Sequence, residues 1–66
     1  MTQNTYTMKK IATGERAEIR RLARDCGLEV YRLAGDILHL KDAYGRTAQI
    51  NKNGNEYTLY FYIQND

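Results

Sequence analysis

Apolar positions follow a helical period between residues 14 and 26, and a period of two from residue 28 onward. Ile19, Leu22, Ala23 and Cys26 recur at i, i+3, i+4 and i+7, a narrow stripe on one side of a helix. Thr13 stands where an N-cap is wanted, and Glu15 sits at the positive end of the helix dipole. Gly27 follows where a left-handed C-terminal cap would fall. The pattern predicts a helix over 14–26, with Cys26 a small apolar member of its buried stripe.

After Gly27 the alternation predicts strands over 28–33, 37–42, 46–51 and 56–64, separated by AGD, AYG and NGN. Asn53-Gly54 predicts a type I′ hairpin turn, because both residues tolerate positive φ. Connections this short imply an antiparallel meander. In the last strand Tyr57, Leu59, Phe61 and Ile63 alternate with Thr58, Tyr60, Tyr62 and Gln64. Leu28, Val30, Leu38, Leu40, Ala48 and Ile50 continue the apolar side.

The expected fold class is α+β: one N-terminal amphipathic helix packed on one face of a three- to four-stranded antiparallel β-meander, as a single small domain over 1–66. Residues 1–12, which include TYTMKKI, are expected to form an edge strand or a flexible lead-in. One helix covers only one side of such a sheet. The other side is expected to present Tyr31, His39, Lys41, Gln49, Tyr60 and Tyr62 to water or to a partner.

Sixty-six residues limit the core, since a chain of this size buries only about 60% of its unfolded surface. That leaves no room to enclose a large cofactor, and none is expected. A single cysteine excludes an intrachain disulfide and fits a reducing compartment. No apolar run approaches the ~18–20 residues of a membrane span, and MTQNTYTMKK has no signal-like apolar stretch, so a cytoplasmic protein is expected.

Net charge is only +2, so the placement of charge matters more than its sum. RAEIRRLAR at 16–24 puts Arg16, Arg20 and Arg24 at i, i+4 and i+8 on one side of the helix. Arg21 has Glu18 and Asp25 within helical reach, whereas no acid lies three or four positions from the other three. Like charges at i,i+4 cost a few tenths of a kcal/mol per pair, so the row is a mild local defect unless sheet carboxylates such as Glu29 or Asp36, or an outside anion, answer it. Arginine suits phosphate and carboxylate alike, through its bidentate fork. Lys9 and Lys10 precede the helix and are expected to widen the basic patch.

Six tyrosines form the second feature. Their bland explanation is strand propensity and cross-strand packing. Their functional one is an exposed platform for bases or for a protein interface, a homodimer included.

Enzymatic chemistry finds little here. The chain has no serine, and one histidine with one cysteine makes no typical zinc site. The five glycines are scattered as caps and turns rather than gathered into a phosphate loop. His39 is the one acid–base candidate, and a metal-free ribonuclease using it is the remote alternative. Gly27, Arg32 and Gly35 resemble the helix-to-hairpin spacing of HicA-type ribonuclease toxins over about nine positions. The Ser-His pair of that family is here Asp36-Ile37, His39 comes two residues late, and no second helix follows, so the likeness stops at a common layout.

The expected function is non-enzymatic binding of nucleic acid, with Arg16, Arg20 and Arg24 on phosphates and Arg21, Lys9 and Lys10 in support. The alternative is a small protein-binding inhibitor or regulator, of the phage or mobile-element kind, that blocks a host or defence complex. It would be anchored by Tyr31, His39, Lys41, Tyr60 and Tyr62, with arginines reaching an acidic surface.

Overall fold

The computed structural model describes residues 5–65. The element order is β1 (Thr5–Gly14), α1 (Arg16–Asp25), β2 (Glu29–Ala34), β3 (Ile37–Lys41), β4 (Thr47–Asn53) and β5 (Glu56–Asn65). The fold is α+β, as expected, but a strand precedes the helix and the sheet has five strands rather than three or four. The sheet order is β1-β5-β4-β3-β2, and every neighbouring pair is antiparallel.

The extra strand is β1, which pairs with β5 from Thr5↔Asn65 to Gly14↔Tyr57. Four antiparallel steps make β1 and β2 run in the same direction at opposite edges, so α1 crosses the sheet between them. Each edge strand carries an irregularity, between Lys10 and Ala12 in β1 and between Val30 and Arg32 in β2. Bulges and edge lysines discourage pairing with another chain's edge.

Ile19 and Ala23 of α1 are buried together with Leu28, Leu40, Ala48, Ile50 and Leu59. Ala12, Leu22, Leu38, Tyr57 and Phe61 pack around them. The alternation of β5 sorts as expected through Phe61, with Leu59 fully buried, but Ile63 lies beyond the core cluster and is 43% exposed. Two further expectations on the core fail. Cys26 is exposed, because α1 ends at Asp25 and Cys26 is its C-cap, turned off the stripe. Val30 is 44% exposed, because α1 makes its contacts on β5 and β1 and leaves the β2 edge less covered.

Helix ends also differ from expectation at one terminus. Glu15, not Thr13, is the N-cap; its backbone is extended and no side chain caps the turn. Thr13 stays in β1, where its hydroxyl hydrogen-bonds that of Thr58 at 3.1 Å. At the other end Gly27 adopts φ 79°, with Leu28 N–H donating to Ala23 C=O at 3.0 Å and Gly27 N–H to Arg24 C=O at 2.9 Å. That is a Schellman cap, and its accompanying apolar contact joins Leu28 and Ala23 in the core.

The β4–β5 hairpin closes through Gly54-Asn55, with Asn53 paired to Glu56. Gly54 has φ 65° and Asn55 has no positive φ, so the turn carries the signature of type II′ rather than type I′. Gly35 repeats it between Ala34 and Ile37 with φ 62°. No helix among the described residues is long and apolar enough to cross a membrane.

Candidate functional site

The arginine row forms as a row. Arg16, Arg20, Arg21 and Arg24 all lie on α1 and are all exposed. At ~1.5 Å rise per residue, successive members of the i, i+4, i+8 series stand about 6 Å apart along the axis, close to the step between phosphates on a backbone strand. Among the described residues the single ion pair is Arg46–Asp42, so Glu29 and Asp36 do not reach Arg16, Arg20 or Arg24. Glu18 and Asp25 make no ion pair with Arg21 either. Arg24 lies in the last helical turn, where the dipole favours a cation. Arg20 and Arg24 rim a shallow groove of about 360 Å³ that also involves Glu29, Val30, Leu40 and Ile50, with Glu29 near the arginines but in no ion pair with them.

Lys9 and Lys10 part company. Lys9 pairs with Phe61, on the helix side of the sheet, whereas Lys10 pairs with Tyr60 on the open side.

The open side gathers most of the tyrosines. Register places Met8 beside Tyr62, Tyr60 beside Gln49, and Gln49 beside His39. Near the β3–β4 loop this face forms a concavity of about 690 Å³ lined by Tyr6, Tyr31, His39, Tyr44, Arg46 and Tyr62, among others. Tyr60 shares the face without lining the concavity. The Nζ of Lys41 stands 5.3 Å from the Tyr31 ring centre, and the rings of Tyr31 and His39 are 6.3 Å apart. Gln49, expected to be presented to water, is instead only 5% exposed on this face, because its side chain is engaged by its neighbours. Its Oε1 accepts from the Tyr62 hydroxyl, and its Nε2 donates to Asn51 at 2.7 Å.

Sequence reading missed Tyr6, Tyr44 and Arg46. Tyr6 fell in the stretch left between strand and lead-in. Tyr44 and Arg46 belong to a loop built on Asp42, whose Oδ1 accepts from Tyr44 N–H at 3.0 Å and Arg46 N–H at 2.8 Å. Its Oδ2 accepts from Arg46 Nε at 2.6 Å. Arg46 in turn lies 5.8 Å from the Tyr44 ring centre. An Asp followed by Gly and Arg in a short loop is the signal that could have exposed this arrangement. Burial pushes the Asp42 pKa up, but the Arg46 guanidinium and the two N–H donors outweigh it and hold the carboxyl below its ordinary value.

The two sets of candidates therefore lie on opposite faces. Tyr31, His39, Lys41 and Tyr62 come together, whereas the arginines stand beyond the sheet on the helix. No group of three or more His, Cys, Asp or Glu among the described residues is arranged to hold a metal ion. Architecture and surfaces define a small α+β domain with a basic helix on one side and an aromatic sheet face on the other. No protein-family model, curated protein or solved structure matches the chain.

Proposed function

We propose that this protein is a non-enzymatic binding module that takes nucleic acid through the arginine face of α1, working in the cytoplasm. The observation that carries the reading is the exposed row of Arg16, Arg20 and Arg24, none of which is ion-paired among the described residues. A row of like charges that no internal acid answers is retained at a small cost to the helix, and phosphates along a backbone answer it. Arg21 and Lys9 add charge on the same side of the sheet; Lys10 does not share it. Binding of this kind is salt-sensitive and reads little sequence.

The test is a fluorescence-anisotropy titration with short duplex and single-stranded DNA and RNA, comparing wild type with the Arg16/Arg20/Arg24→Ala variant. The expected result is duplex binding that the variant loses. Alanine is the better helix former and relieves the repulsion, so the variant should melt no lower than wild type. Equal duplex binding by the two proteins would sink the proposal.

One observation favours a second reading, a protein-binding inhibitor or regulator. Val30 and Leu33 are 44% and 67% exposed on β2, and Val30 lies in the groove that Arg20 and Arg24 rim. Apolar surface framed by arginine suits an acidic protein partner, with the tyrosine face as a further anchor. The apolar and tyrosine contacts of such an interface would tolerate salt, whereas its arginine contacts would weaken.

A further inference from the structure

We propose that the concavity on the open sheet face is a separate site for a short single-stranded segment of nucleic acid. Its bases would stack on Tyr31, Tyr44 and Tyr62, and its phosphates would meet Lys41 and Arg46. The inference rests on the reading that the protein binds nucleic acid, but it places this contact on the face away from the arginine row.

The first support is charge. Among the described residues no acidic side chain lines the concavity, and the nearby carboxylate of Asp42 is already engaged by Arg46. Arg46 in the lining, and Lys41 beside the lining residue Tyr31, each stand over a tyrosine ring. A base on the ring and a phosphate on the neighbouring cation is the combination that sequence-tolerant single-strand sites use.

The second support is that the Tyr62 and Tyr31 rings and the Tyr44 backbone are held before any ligand arrives. Tyr62 is fixed by its hydrogen bond to the buried Gln49. Tyr31 leans on His39 and Lys41. Tyr44 sits in the loop that Asp42 closes. Rings already held lose little freedom on binding, which raises the yield of each contact. Yet Tyr31 and Tyr44 remain 52% and 86% exposed, so their faces are open to a planar partner.

The third support is the composition of the wall. A single-strand site offers aromatic faces and cations for bases and phosphates rather than an aliphatic wall. Here Ile63 is the one aliphatic residue among the described lining groups, which are otherwise aromatic, basic or small. The volume of about 690 Å³ suits a nucleotide or two rather than a duplex.

The experiment titrates the full chain with short oligouridine and oligothymidine and with a duplex of equal length. It reads anisotropy together with quenching of tyrosine fluorescence. Three variants are compared with wild type: Tyr31→Ala/Tyr44→Ala, Tyr31→Phe/Tyr44→Phe, and the helix triple-alanine variant. The expected result is tyrosine quenching by single strands and a loss of single-strand affinity of about tenfold or more in the alanine pair. The phenylalanine pair should retain affinity, because stacking needs the ring and not the hydroxyl. Duplex affinity should be unchanged in both pairs.

If the alanine pair binds single strands as wild type does while the helix variant loses the duplex, the inference falls and the helix reading stands. Absence of wild-type binding to either form overturns both. If the alanine pair instead abolishes self-association in sedimentation and leaves oligonucleotide binding intact, the face belongs to a second copy of the chain and the inference is wrong.

Discussion

A single carboxylate shapes the β3–β4 loop. Asp42 is almost wholly buried, accepts three hydrogen bonds and thereby places Arg46 beside Tyr44. Its folded pKa lies below the unfolded value, so its stabilising contribution is complete above the ordinary aspartate range. That contribution is lost as pH falls through the folded value. The amide resonances of Tyr44 and Arg46 should therefore shift together in acid, with a midpoint below the ordinary aspartate value, and Asp42→Asn should remove that titration. A midpoint at the ordinary value would show that the carboxylate is not held as described. Little of this was legible in advance, because an Asp in a loop is common and only its burial makes it a keystone. The row of Arg16, Arg20 and Arg24 was legible in full, since helical spacing alone sets it.

Elements with local causes were the ones that could be read. Gly27 was assigned to the helix cap from its place after the apolar stripe, and the Schellman bonds are there. A Cβ at Gly27 would touch nothing within 4 Å, so Gly27→Ala should cost only the left-handed conformation, about 1–2 kcal/mol. Urea unfolding measures it; a neutral result would mean that the helix end relaxes into another cap. β1 was harder to see, for two physical reasons. Its partner β5 is at the far end of the chain, and the irregularity at Ile11 breaks the alternation that marks a strand. Leaving it undecided between an edge strand and a lead-in shortened the expected sheet and made the helix appear to come first. The hairpin at Gly54 was located correctly but given the wrong twist, because Asn53 ends β4 instead of entering the turn.

For the whole molecule, stability and binding reside in different residues. The seven buried hydrophobic residues form a thin core, and a domain of this size rarely holds more than ~3–5 kcal/mol. Leu59, fully buried under α1, should cost about 2–5 kcal/mol when cut to alanine, enough to unfold much of the population by circular dichroism. Arg16, Arg20 and Arg24 on α1 and Tyr31 and Tyr44 on the opposite side sit outside that core, and their substitution should leave the fold intact. The division of surfaces followed from the period-two alternation; the concavity did not, because it needs β1 and the Asp42 loop to form its walls.

The most direct test of the central claim is the salt dependence of duplex binding. Each neutralised phosphate adds about −0.9 to the slope of log K against log salt on B-form DNA. If Arg16, Arg20 and Arg24 each meet a phosphate, arginine-to-alanine replacements, made singly so that binding stays measurable, should each flatten that slope by about one. Slopes that match wild type, or a wild type that binds no nucleic acid at any salt concentration, would contradict the account.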